Sequence, residues 1–144
     1  MSMDLVVNDG GRKAAGYEGS TGDCVVRAIA IATETPYQVV YDALNGLAKR
    51  ERIGKHKRKV SSSRTGVYRS TYDRYLKSIG WRWTATMGIG TGCTVHMRAN
   101  ELPKGRLMVK LSRHLCAVID GVIHDTHDPS RDGKRCVYGY WQAP

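Results

Sequence analysis

His114-Leu-Cys-Ala-Val-Ile119-Asp120-Gly121-Val122-Ile-His-Asp125 is the stretch that decides the fold of this chain. Asp-Gly between two apolar runs is among the strongest hairpin signals, because the favoured two-residue turn needs positive φ at both central positions. Such a turn pairs Ile119 with Val122, Cys116 with Asp125 and His114 with His127. Side chains alternate across a strand, so His114, Cys116 and Asp125 share one face, with Asp125 diagonal to His114 and within reach of it. Asp128 falls on the opposite face unless Pro129 bends the strand, and a slip of one residue would reverse the choice. A carboxylate placed beside an imidazole can orient the ring and stabilise its charged form.

Working outward, Leu107, Val109 and Leu111 alternate as a strand before the hairpin, and Cys136 to Trp141 reads as a last strand after it. Trp81-Arg-Trp83-Thr-Ala also alternates, which turns both tryptophans toward the core. Met87 to Gly92 is a glycine-rich turn, and Arg98 to Pro103 reads as a short helix. The first half of the chain has a different period. Val25, Ala28, Ile29 and Ala32 fall at helical spacing, as do Val40, Ala43, Leu44, Leu47 and Ala48. Thr35-Pro36 reads as an N-cap followed by proline at the first helical position. A third helix is expected from Gly66 to Ser78, with Gly80 at a left-handed cap. Residues 1–20 are glycine-rich and read as an irregular lead-in. Helices first and an antiparallel sheet second make an α+β fold.

The chain has 144 residues, a length that fits one domain spanning 1–144. Its 41% hydrophobic and 25% charged residues are a globular composition and exclude a largely disordered chain. The longest apolar stretch, Val25 to Ala32, is interrupted by Arg27 and is too short to span a bilayer, so no membrane partner is expected. No secretory signal is visible at the N-terminus, which predicts a cytoplasmic protein. Lys and Arg number 23 against 13 Asp and Glu. Much of that excess lies in Lys49 to Arg64, which also holds Ser61, Ser62 and Ser63 and reads as a basic, mobile loop over 49–65. Lys55, Lys57, Arg58 and Lys59 are its candidate contacts to nucleic acid or to an acidic protein. Cys24, Cys93, Cys116 and Cys136 lie far apart without a Cys-x-x-Cys pair, and read as thiols rather than a disulfide framework.

Cys24 opens the first helix. At a helix N-terminus the unpaired amides and the helix dipole favour a thiolate, the form a sulfur nucleophile needs. The neighbouring Asp23 opposes that activation. The bland alternative is a small residue packed in the first turn.

Gly22-Asp-Cys-Val-Val-Arg-Ala-Ile-Ala30, taken with His114 to Pro129, resembles the leader peptidase domains of bacteriocin exporters within the papain-like cysteine peptidases, and uncharacterised phage and bacterial relatives. The resemblance covers the order of elements over most of the chain, with specific matches in those two stretches. It implies a papain-like fold in which Cys24 attacks a peptide or isopeptide carbonyl, His114 shuttles the proton and Asp125 orients the ring, with no cofactor. The family usually carries glutamine six positions before the cysteine as an oxyanion donor, and this chain has Glu18 there. An ionised carboxylate cannot donate, and losing one donor of an oxyanion hole costs about 100- to 1,000-fold in turnover. Asn8, Ser20 and Thr21 are the candidate substitutes, alongside the Cys24 amide.

Two rivals stand beside the peptidase reading. Cys93-Thr-Val-His96 and His124-Asp-Thr-His127 have zinc-like spacing, but neither has a paired cysteine knuckle, so no metal is expected. The basic run with Trp81 and Trp83 also suits nucleic-acid binding without catalysis, or an inert peptidase-like interaction protein.

Overall fold

A computed structural model describes residues 3–55 and 59–144. The elements in chain order are β1 (Leu5–Val7), α1 (Cys24–Thr33), α2 (Tyr37–Ala48), α3 (Arg69–Ser78), β2 (Arg82–Ala85), a 3-10 turn (Ala99–Glu101), β3 (Arg106–Leu111), β4 (His114–Ile119), β5 (Val122–Asp125) and β6 (Gly139–Gln142). The strands form one sheet in the order β1-β5-β4-β3-β6-β2. The fold is α+β as expected, but the sheet is mixed. β1 lies parallel to β5, pairing Leu5 with Ile123 and Val7 with Asp125. This strand falls in the stretch read as irregular lead-in. Three residues are too few to show a period, and their partner lies more than a hundred positions away.

The Asp120-Gly121 turn sets the expected register, with Ile119 opposite Val122 and Ala117 opposite His124. Alternation then divides the sheet into two faces. Met108, Leu115, Ala117 and Trp141 pack on the helical layer with Val26, Ile29, Val40, Leu44, Tyr72 and Leu76. Leu107, Val109, Leu111, Cys116, Val118 and Ile123 face the other way, against Met3, Met97, Leu102 and Val137. Trp81 is buried, and Trp83 packs at 5.6 Å on Trp141 across the β2–β6 pair, consistent with their reading as core residues.

α1 is buried on all sides from Val25 to Ala32. It ends on Glu34, whose φ of 56° closes the helix in the left-handed region. Arg106 of β3 donates from Nε to the Ala32 carbonyl at 2.7 Å and from Nη2 to the Ile31 carbonyl at 2.8 Å. A cation thus meets the negative end of the helix dipole and ties α1 to the sheet.

Several boundaries move. Pro36 is the N-cap of α2 rather than its first helical residue. α3 starts at Arg69, because Gly66 (φ 145°) pairs with Ser62 in an isolated bridge. β6 starts at Gly139, because Cys136 pairs with His96 instead of with the sheet.

Where it is described, the basic 49–65 segment is tied to α2 and its C-terminal turn by hydrogen bonds. The Ser61 amide donates to Glu51 at 2.6 Å, the Ser63 amide to Asn45 at 2.9 Å, and the Ser63 hydroxyl to the Tyr41 carbonyl at 2.6 Å. Ser61 and Ser63 are both buried. The run of serines therefore supplies local hydrogen bonds that pin the return of the chain to α3. Lys55 and Lys59 are exposed, and Lys57 and Arg58 lie outside the described residues. Among the described residues no helix is long and apolar enough to cross a membrane.

Candidate active site

Cys24 is the first residue of α1, with Asp23 at the N-cap. The amides of a first helical turn have no acceptor within the helix, so this end presents donors and positive potential. His114 opens β4 directly after the Ser112-Arg113 turn, where Arg113 takes a φ of 56°. Asp125 closes β5, and its carbonyl accepts from the Asn8 amide at 2.9 Å. Three elements thus end at one place: the start of a helix, the start of one strand and the end of its neighbour.

Side chains converge there. His114 Nε2 lies 2.6 Å from Asp125 Oδ2. That leaves Nδ1 free of Asp125, and the ring and the Cys24 thiol are close enough to shift each other's proton affinity. The Thr126 amide donates to Asp125 Oδ1 at 2.7 Å, and Arg27 Nη2 reaches the same oxygen at 3.4 Å. Arg27 also pairs through Nη1 with Asp23, whose other oxygen accepts from the Tyr37 hydroxyl at 2.6 Å. A connected polar chain therefore runs from Tyr37 through Asp23, Arg27 and Asp125 to His114, which lines the groove with Cys24. Asp23, Arg27 and Asp125 are all buried. Such charges are tolerated inside a protein when they are paired and hydrogen-bonded; Arg27 pairs with Asp23 and Asp125 through its two terminal nitrogens, although its Nε has no protein partner among the described residues.

This arrangement sets the proton affinities. Burial opposes the charged form of His114, but the hydrogen bonds to Asp125 and Cys24 outweigh it and raise the imidazole to about 9. Burial likewise opposes the Cys24 thiolate, but His114, the Leu115 amide and the Arg27 charge outweigh it and hold the thiol below its ordinary value. Asp125 is also desolvated, yet its contacts with His114, Thr126 and Arg27 keep it below the usual carboxylate range. All three shifts favour a thiolate–imidazolium pair beside a carboxylate. The expected opposition from Asp23 is cancelled, since its carboxylate is turned inward onto Arg27 and Tyr37.

Cys24 and His114 line a groove of about 490 Å³, together with Gly22, Thr65, Tyr72 and Lys110. Gly22 lets the lead-in pass close to the 62–66 turn. Its amide donates to the Arg64 carbonyl at 2.6 Å, and a Cβ there would lie 2.8 Å from the Thr65 carbonyl oxygen.

No protein-family model, curated protein or solved structure matches this chain. What the site does must therefore be read from its own geometry.

The oxyanion candidates fare differently from the other three residues. Asn8 and Ser20 do not line the groove. The Asn8 side-chain oxygen accepts from the Gly10 amide at 2.8 Å, closing a local turn. Thr21 lines the groove, but its hydroxyl donates to the Arg64 carbonyl at 3.0 Å, which removes its proton from other use. Glu18 is exposed, and its carbonyl accepts from Arg64 at 2.6 Å. The Leu115 amide donates toward the Cys24 sulfur, and the first-turn amides of α1, which have no acceptor within the helix, begin at Cys24 itself.

Sequence reading missed Arg27 and Tyr37. The i, i+4 spacing of Asp23 and Arg27 was the available signal for the first, since such pairs meet on a helix. Nothing local marked Tyr37.

The cysteines also need correction. Cys93 and Cys136 form a disulfide with Cα atoms 5.7 Å apart, while Cys24 and Cys116 are thiols. The pairing follows from the His96–Cys136 bridge, which brings together two loops separated by 43 positions. Cys116 is fully buried, and desolvation drives its thiol far above the ordinary value.

Proposed function

We propose that this protein is a papain-like cysteine peptidase that hydrolyses a peptide or isopeptide bond through a thioester on Cys24. The observation that carries the proposal is His114, hydrogen-bonded to the Asp125 carboxylate, lining one open groove together with Cys24. Nucleophile, base and orienting group are the parts acyl transfer needs.

The Cys24 thiolate attacks the carbonyl carbon, forming a C–S bond and moving the π electrons onto oxygen. Amides at the start of α1 face the developing charge, with the helix dipole behind them. Collapse of the adduct breaks the C–N bond, and the departing amine takes the proton from His114. The neutral imidazole then removes a proton from water, whose oxygen attacks the thioester. Cys24 leaves as the thiolate, and the imidazolium is restored against Asp125. Arg27 is a positioning residue here. It fixes Asp125 from the helix side and so acts through His114.

Cys24 is the only accessible, unbonded thiol among the described residues, which makes the test direct. A peptidyl vinyl sulfone should add once, at Cys24, in the native protein. His114→Ala should slow the addition by roughly 100-fold or more, and Cys24→Ala should abolish it. Addition no faster than to the unfolded chain, or indifferent to His114→Ala, would overturn the proposal. The formal charge of +10 supports a second reading, in which the exposed Lys55 and Lys59, with Lys57 and Arg58, hold an acidic protein or nucleic acid independently of Cys24.

A further inference from the structure

The disulfide loops carry a third chemical group that a disulfide does not require. The segments around residues 95–97 and 135–137 form a short ladder, in which the Val137 amide donates to the Val95 carbonyl at 2.8 Å and the Met97 amide to the Arg135 carbonyl at 2.9 Å. That ladder places His96 opposite Cys136, and the His96 ring turns toward the sulfurs. His96 Nε2 lies 3.4 Å from Cys93 Sγ, and single ligand atoms of Cys93, His96 and Cys136 all fall within 4.8 Å of one another. In a tetrahedral zinc site with ordinary Zn–S and Zn–N bond lengths, the sulfur–nitrogen edge is about 3.5 Å. The other ring nitrogen is also committed. His96 Nδ1 lies 3.1 Å from Glu101 Oε1, and the same oxygen accepts from the His96 backbone amide at 3.1 Å. A carboxylate on the far nitrogen fixes the tautomer that presents a lone pair at Nε2, which is how metal-bound histidines are held.

We propose that, once the disulfide is reduced, Cys93, His96 and Cys136 bind one Zn²⁺, leaving the fourth position to water. Reduction by an external thiol consumes two thiols and returns two protein thiols with one small-molecule disulfide. Metal binding then releases both thiol protons as the sulfurs part to coordinate the ion. The two states exclude each other, because sulfurs joined to one another cannot both ligate as thiolates. The loops are therefore cross-linked covalently under oxidising conditions and through the metal under reducing ones. This site lies outside the Cys24 groove, and nothing in it depends on the peptidase reading.

The test uses full-length Cys24→Ser protein, so that the Cys24–His114 pair cannot contribute a thiolate. Protein reduced with a phosphine and freed of reductant is titrated with Zn²⁺ against a chromophoric chelator, and separately with Co²⁺. One equivalent of Zn²⁺ should bind, and Co²⁺ should give the thiolate charge-transfer and d–d bands of a tetrahedral centre. His96→Ala should weaken binding more than tenfold, and Glu101→Gln about tenfold. Cys93→Ser should abolish the charge-transfer band or leave it at reduced intensity, and the oxidised protein should take up no metal. Reduced protein that competes for no Zn²⁺, or binding unchanged in both His96→Ala and Cys93→Ser, would overturn the proposal and leave the cluster a disulfide only.

Discussion

Asp125 does two jobs at its two oxygens. Oδ2 meets His114 at 2.6 Å, while Oδ1 is held by the Thr126 amide and Arg27. Fixing one oxygen is what aims the other, and the aimed charge, together with Cys24, lifts His114 to about 9 against the cost of burial. The pH dependence follows with a definite sign. If Cys24 acts as the proposed nucleophile, turnover should fall below the depressed Cys24 value, where the thiolate gains a proton, and again above about 9, where the imidazolium can no longer protonate the leaving amine. Asp125→Asn keeps the shape and removes the charge. The alkaline limb should then move below 9, the acid limb should move up, and the rate at neutral pH should drop by roughly 100- to 10,000-fold. A profile measured with a fluorogenic peptide reads both limbs, and limbs unmoved in Asp125→Asn would deny the carboxylate this role.

At the scale of elements, the β2–β6 pair shows how closely packing is specified. Gly139 sits opposite Ala85 and Lys110, under the Trp83 ring. A Cβ there would lie 2.4 Å from Trp83 ring carbons and 2.6 Å from the Thr84 carbonyl oxygen. Gly139→Ala should therefore destabilise by about 1–3 kcal/mol, as overpacking does, because backbone as well as ring must shift. Gly46, within α2, has open space around its missing Cβ. Gly46→Ala should stabilise by about 0.5–1 kcal/mol through helix propensity alone. Urea midpoints moving in opposite directions would bear out both. The same elements show what periodicity can and cannot carry. α1, α2 and the β4–β5 hairpin were legible because eight or more residues repeat a pattern or enclose an Asp-Gly turn. β1 was not, and neither was the true start of α3, because a bridge at Gly66 overrides local helix signal.

Across the whole molecule the charge is uneven. The chain carries a formal +10, and the groove adds Arg69, Lys110 and Arg113 around Cys24. Lys110 is half-buried, which depresses its proton affinity, and it donates to the Leu111 carbonyl at 2.8 Å. Arg69 pairs with Asp73 at 3.4 Å and lies 4.3 Å over the Trp83 ring. If the basic 49–64 segment holds a polyanion, affinity should fall steeply with salt, with a log–log slope of about −0.9 per duplex phosphate neutralised. Replacing Lys55 and Lys59 by alanine should flatten that slope, whereas Cys24→Ala should leave it unchanged. Fluorescence anisotropy with a labelled duplex across a salt series checks this, and a flat series would dismiss the polyanion.

Local order was set by the sequence alone: two early helices, a tight hairpin and a shared face for His114 and Asp125, because these depend on spacing and turn chemistry over a few residues. That a helix start ninety positions earlier reaches these two side chains at the end of the hairpin was decided by tertiary structure. So were the inward turn of Asp23 onto Arg27 and Tyr37, the failure of Asn8 and Ser20 to reach the groove, and the meeting of Cys93 with Cys136. Each of these needs two segments far apart in the chain to be fixed by packing against a common sheet, and no repeat or spacing along the polymer encodes that encounter locally.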